Sequence, residues 1–335
     1  MHATSNAVEL TVRPSDDFPL YRPVAEEMRI VRDRLRKELS SEETTVDGLC
    51  RHVARYQGKM LRPAVLLLSG RCFGLPAETH LRFAVIIELV HLATLIHDDV
   101  LDQAQVRRRV MTVNRLRGNE ASVLLGDLLL SKAFDLCNEA GDGQASRELS
   151  RMAKSACQGE LLQCLSRTNW DLSEERYLQI IEMKTASLFE FCCRLGARLS
   201  GAGPEDQDHL ARYGRRLGIA FQIADDLLDI IGREDETGKT LGTDLTQGKP
   251  TLPLIHFCRE ADPDRRRRLI RSFEDPDTSR GDVRAVLDGL GSLEYAWNRA
   301  QGLVAGAQEE LETLKASPAR DALAAVGDFV VKRTW

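Results

Sequence analysis

Aromatic side chains make up only 5% of the 335 residues, and no stretch alternates apolar and polar residues with period two between turn signals. Strands favour aromatic and β-branched residues in that alternation, so a sheet protein has no support. The eight cysteines form no C-x-x-C pair and keep no regular spacing. A disulfide framework is therefore not expected, and a reducing compartment is. No run approaches the ~18 uninterrupted apolar residues of a membrane span. The N-terminus carries Glu9, Asp16 and Asp17 without a long apolar run, so it does not read as a signal peptide. A soluble, cytoplasmic protein that does not span a membrane is expected. The net charge of −5 gives no global case for a nucleic-acid partner. The basic run Arg265 to Arg268 follows Asp262-Pro263-Asp264, a helix start, and reads as a solvated face.

What is present favours helix. Hydrophobic residues make up 43% and charged residues 29%, with Leu, Ala, Arg and Glu abundant. Such side chains lose little rotamer freedom in a helix. Pro14, Pro19 and Pro23 mark residues 1–22 as a flexible arm, followed by one all-helical domain over 23–335. Apolar residues then recur every three or four positions, predicting helices over Pro63–Cys72, Thr79–Asp102, Glu120–Glu139, Ser146–Leu165, Ser173–Leu199 and Pro204–Ile231. Ser173 is placed to cap its helix, with Glu174 and Glu175 in the first turn. Cys192 and Cys193 fall in an apolar stretch and are expected as buried thiols. Two segments break the pattern: Arg107–Asn119, which is basic and polar, and Gly232–Pro250, long enough for a lid. A disordered surface loop is the plain alternative for the second.

The chemistry lies in two acidic clusters. Asp98, Asp99 and Asp102 end one apolar helix, and Asp225, Asp226 and Asp229 end another. Carboxylates four residues apart share a helical face and repel each other, and anions are disfavoured near a helix C-terminus. A chain that does this twice most simply holds hard cations through oxygen. A solvated acidic patch is the alternative, weakened by the repetition and by how apolar both helices are. Few protein ligands per site favour Mg²⁺ over Ca²⁺, and an EF-hand is excluded by the missing Gly and Glu. Cations need an anionic partner. Lys59, Arg62, Arg107, Arg108, Arg109, Lys184, Lys239 and Lys249 are candidate phosphate receptors. Each alone reads better as a solvated charge.

Taken together, residues 50 to 260 resemble the trans-isoprenyl diphosphate synthase (polyprenyl synthetase) family. The Asp98–Asp102 cluster running into Arg107-Arg108 resembles its first aspartate-rich motif, and Phe221–Asp229 its second. Gly238–Leu245 and Gly248–Pro253 are similar to its lid. The resemblance implies a single-domain, all-α orthogonal bundle around a deep central cavity, a homodimer, and three Mg²⁺ ions per site. It implies Asp98, Asp102 and Asp225 as main metal ligands, with Asp99, Asp226 and Asp229 completing the shells. Arg107, Lys184, Gln222, Lys239 and Lys249 would hold an allylic diphosphate. Lys59, Arg62, His91 and Arg108 would hold isopentenyl diphosphate, and Thr185 would line the site. His91 in isolation reads as a core histidine, but seven residues separate it from Asp98, which puts both on one face.

The implied reaction is head-to-tail, trans prenyl transfer through an allylic carbocation, with the released diphosphate as base. Ala93 and Thr94 stand where short-chain members often place bulky aromatics, implying a product of geranylgeranyl length or longer. Leu128, Leu129 or Phe134 are the alternative, deeper wall. Three positions depart from the family: Arg109 where Gly is usual, Met60 where Arg is usual, and Met111 where Pro is usual. A class I terpene cyclase and a non-catalytic helical subunit of a heteromeric synthase are the competing readings. The intact second cluster argues against the subunit.

Overall fold

In the computed structural model, residues 19–56, 58–232, 241–273 and 280–332 are described. Fifteen α-helices follow one another among them. They are α1 (Ala25–Glu38), α2 (Thr44–Val53), α3 (Leu61–Arg71), α4 (Glu78–Leu101) and α5 (Val113–Glu139). Next come α6 (Gly143–Leu165), α7 (Glu174–Ile181), α8 (Ser187–Leu199), α9 (Pro204–Ile231) and α10 (Thr243–Thr246). The last are α11 (Leu252–Glu260), α12 (Pro263–Ser272), α13 (Arg280–Asp288), α14 (Ser292–Glu312) and α15 (Pro318–Lys332).

Two helices frame the interior. α4 packs along α5, α3 and α1, and α9 packs against α8 and α14. By length and composition α4 is the one described helix able to cross a membrane, yet 72% of its most apolar window is buried in the bundle. Leu66, Leu67 and Leu68 of α3 are fully buried, each worth about 1.5–3 kcal/mol of transfer free energy.

Local chemistry sets the boundaries. Ser173 accepts a bond from the Arg176 N–H, and Asp262 caps α12 ahead of Pro263. Cys192 and Cys193 are buried, and three of the four arginines from Arg265 to Arg268 are exposed.

Four expectations are corrected. The arm does not run to residue 22, because Pro19–Val24 forms a 3-10 helix with Tyr21 and Val24 buried. A short antiparallel hairpin, β1 (Val106–Arg107) and β2 (Val110–Met111), stands where no strand was expected. α5 begins at Val113 and kinks at Gly118, where φ is 85°. The single helix over Ser173–Leu199 is interrupted by a π-helical turn at Glu182–Ala186, which carries Lys184 and Thr185.

Candidate active site

The C-terminal turn of α4 presents the first acidic wall. Asp98 and Asp102 are half-buried one turn apart, and Asp99 is buried behind them. Asp99 accepts a 2.6 Å bond from Arg107 Nε on β1. Burial pushes the Asp99 carboxyl up to about 6 against the pull of Arg107. Burial also raises Asp98, with Lys184 opposing and the like charges of Glu160 and Asp102 reinforcing. Asp98 accepts no side-chain hydrogen bond among the described residues. Asp102 is 2.7 Å from Lys249 Nζ. Burial would raise its carboxyl, but the charge of Lys249 outweighs that and holds it below the ordinary value.

The end of α9 supplies the second wall. Asp226 is buried and accepts 2.7 Å bonds from Tyr177 and Gln222 Nε2. Gln222 Oε1 in turn accepts a 2.7 Å bond from the Thr185 hydroxyl. Burial and the like charge of Asp244 push Asp226 up to about 7. Asp229 is also buried and accepts the backbone N–H groups of Gly242 at 3.1 Å and Asp244 at 3.0 Å. It thus anchors α10, just downstream. Asp225 is half-buried on the intervening face.

The two walls converge. Lys249 lies 2.7 Å from Asp102 and 3.1 Å from Asp244, whose N–H binds Asp229. On the other side, the π turn carries Lys184, drawn to Asp98, beside Thr185, bound to Gln222. Lys184 Nζ pairs with Glu160 and donates to Gln163 Oε1 at 2.7 Å. Gly159 makes this seat possible, because a Cβ there would stand 2.5 Å from the Lys184 backbone nitrogen.

A second group of cations lies at the start of α3 and on the hairpin. Arg62 Nη1 is 3.2 Å from His91 Nε2, and its guanidinium lies over Phe189 (4.8 Å) and Phe221 (5.6 Å). Burial and the charges of Arg62, Arg108 and Arg107 hold His91 well below the usual imidazole value, so it is neutral. Arg108 donates to the Tyr56 carbonyl and packs on Gly58, where a Cβ would come within 2.5 Å of the guanidinium. The exposed Lys59 places its ammonium 4.2 Å from the centre of the Phe329 ring. Met60 turns its side chain into the core, 3% exposed.

Arg108 and Arg109, at φ 50° and 65°, form the two-residue turn of the hairpin. Ala93 is buried on α4, while Thr94 is half-buried with its hydroxyl on the His91 carbonyl at 2.9 Å. Lys239 lies outside the described residues. Tyr177, Glu160 and Gln163 were not expected, and Asp244 was expected only as part of the lid-like segment Gly238–Leu245. Only Gly159, a glycine inside a helix next to Glu160, offered a local signal.

A family profile described as polyprenyl synthetase matches residues 43–290. The chain belongs to that family. It is 35% identical over 312 residues to the octaprenyl diphosphate synthase of Escherichia coli (strain K12), covering 92% of this chain and 96% of that one. Identity is also 35%, over 309 residues, to a short chain isoprenyl diphosphate synthase of Methanothermobacter thermautotrophicus, covering 90% and 94%. Among solved structures, a polyprenyl synthase from Caulobacter crescentus CB15, complexed with calcium and isoprenyl diphosphate, matches with a TM-score of 0.89. It is 32% identical, with 94% of this chain and 97% of that one covered. This polyprenyl synthetase therefore has the all-α isoprenoid synthase fold and is a prenyltransferase of a divalent-metal-dependent family.

Proposed function

We propose that the chain condenses isopentenyl diphosphate with an allylic diphosphate, head to tail and in trans, to a product of geranylgeranyl length or longer. The observation that carries this reading is Lys249, which pairs with Asp102 of the first aspartate wall and with Asp244, whose N–H binds Asp229 of the second. The donor set fits Mg²⁺, because it consists of carboxylate oxygens and Asp98 is already raised by burial amid like charge. Asp98, Asp102 and Asp225 would hold three ions, while Asp99, Asp226 and Asp229 fix the frame through Arg107, Tyr177, Gln222 and the α10 backbone. When bound, the metal supplies positive charge against the negative charge that grows on the departing diphosphate.

The chain's own residues do the rest. Arg107, Lys184, Gln222, Lys239 and Lys249 hold the allylic diphosphate, and Thr185 orients Gln222. Lys59, Arg62, His91 and Arg108 hold isopentenyl diphosphate; neutral His91 accepts from Arg62 and keeps its fork aimed. The isopentenyl double bond attacks the allylic carbocation, and the released diphosphate takes the proton. Residues 241–250, tied to Asp229 and Asp102, would serve as part of the lid that excludes water from the cation.

Product length rests on Ala93 and Thr94. Identity is equal to an octaprenyl and to a short-chain synthase and so does not separate the two lengths, which leaves the reading on those wall residues. Leu124, Leu161 and Leu165, exposed on the adjacent helices α5 and α6, leave apolar surface that a second copy would cover in a homodimer. The test is incubation with Mg²⁺, isopentenyl diphosphate and geranyl, farnesyl or geranylgeranyl diphosphate, reading product carbon number. No prenyl product at saturating Mg²⁺ rejects the reading.

A further inference from the structure

We propose that Glu160 is a positioning residue for the allylic diphosphate: it holds Lys184 off Asp98, so that this carboxylate stays open to metal and the ammonium serves the diphosphate. This deepens the proposed function and rests on it.

Lys184 stands between two carboxylates. Both Asp98 and Glu160 attract it. Among the described residues, however, its ion pair is with Glu160 and its second contact is Gln163 Oε1 at 2.7 Å. α6 is built to make that contact. Glu160 and Gln163 are three residues apart and share a helical face. That helix meets the π turn at Gly159, where a Cβ would stand 2.5 Å from the Lys184 nitrogen and 3.0 Å from the Ile180 carbonyl oxygen. The widened turn Glu182–Ala186 presents Lys184 at this close approach. Glu160 is itself held: Oε2 faces the ammonium, and Oε1 lies 3.9 Å from the Cys164 thiol one turn on. The Lys184 and Glu160 side chains are only 17% and 18% exposed, so water screens their attraction in part.

The pairing decides which charge Lys184 neutralises. With a neutral side chain at 160, the largest attraction left on the ammonium is that of Asp98. Lys184 would then settle on Asp98, and a metal ion would have to displace it. Glu160 prevents this by giving the lysine another partner. An ammonium carries three donors. Glu160 and Gln163 engage two, and the third has no partner among the described residues. It is left for a phosphate oxygen.

The test is E160Q, which keeps the shape of the side chain and removes its charge. Calorimetry follows the binding of an unreactive allylic thiolodiphosphate over a series of Mg²⁺ concentrations, alongside steady-state kinetics. The Mg²⁺ concentration for half-maximal binding should rise about three- to tenfold, as expected for a partly screened ion pair. The allylic KM should rise with it, and the isopentenyl diphosphate KM should not change. Q163L, which keeps the ion pair, should move the same two quantities in the same direction by less, and it carries the test where E160Q does not fold. In a K184M background E160Q should have no further effect on binding. Three results would each overturn the proposal: a Mg²⁺ requirement unchanged or lowered in the folded variant, an equal rise in the isopentenyl diphosphate KM, or a full effect without Lys184. Wild-type protein that binds no thiolodiphosphate at saturating Mg²⁺ and makes no product would reject the functional reading, and this inference with it.

Discussion

Lys249 and Asp102 form a 2.7 Å ion pair between segments 147 residues apart, with the lysine 4% exposed. A second carboxylate, Asp244, shares the ammonium at 3.1 Å. Removing one member of a buried pair leaves the other charge uncompensated, which costs on the order of 3–5 kcal/mol. K249M should therefore be destabilised by about that amount in denaturant titrations without metal. Mg²⁺ should restore part of the loss, because Asp102 and Asp244 are left facing each other without their cation. A variant as stable as wild type would mean that the pair does not hold residues 241–250 to α4.

Tyr177 supplies one of the two hydrogen bonds on Asp226. Hydrogen bonds to charged groups contribute about 1.5–3 kcal/mol, and a buried acceptor cannot turn to water. Y177F should lose that much stability, and its Asp226 should titrate higher than the wild-type value of about 7. Urea midpoints compared at pH 8 measure the loss. A difference under ~0.5 kcal/mol would show that Tyr177 does not support the second wall.

Part of this architecture was legible because its signals are local. Pro204–Ile231 has the predicted bounds, since Gly203-Pro204 opens it and Gly232 ends it. The acidic clusters were visible because each lies within five consecutive residues. The π turn was not, because widening one turn around Lys184 leaves the apolar spacing on either side intact. The hairpin was hidden by its turn: Arg108-Arg109 adopts a conformation that ordinarily announces itself as Asn-Gly. Tyr177 and Asp244 could not be assigned from pattern, since their partners lie 49 and 15 residues away in sequence and only packing joins them.

That turn makes a prediction. A left-handed conformation costs a non-glycine residue about 1–2 kcal/mol, and Arg109 is exposed at φ 65°. Glycine relieves the strain but loses about 0.5–1 kcal/mol more chain entropy on folding. R109G should thus be stabilised by roughly 0.5–1 kcal/mol in urea titrations. Arg108 keeps its bond to Tyr56, so the KM for isopentenyl diphosphate should not change. A destabilised R109G would show that the Arg109 side chain contributes more than its backbone costs.

Ala93 stands on α4 two turns after Phe83-Ala84-Val85-Ile86 and five residues before Asp98, buried to 1% exposure. Phenylalanine there would narrow the path of a growing chain beside the first wall. A93F should give a shorter product than wild type, read by reversed-phase chromatography of the dephosphorylated prenols. Overpacking costs about 1–3 kcal/mol, so a thermal melt should accompany the assay. A folded A93F with unchanged product length would remove Ala93 from the wall and point to Leu128 or Phe134.

The last prediction concerns pH and the helix that seats Lys184. Asp142 caps α6, accepting from the Gln144 and Ala145 N–H groups at 3.1 and 2.9 Å and from Arg198 at 2.8 Å. Burial raises its carboxyl, but these donors outweigh burial and leave it below the ordinary value. A carboxyl depressed by folding adds stability above its unfolded pKa of about 3.9 and loses it as pH falls through the lower folded value. D142A should therefore cost about 1–2 kcal/mol at pH 7. The gap to wild type should narrow as the pH drops below about 4. A gap that stays constant across that range would mean that the cap acts through shape and not through its charge.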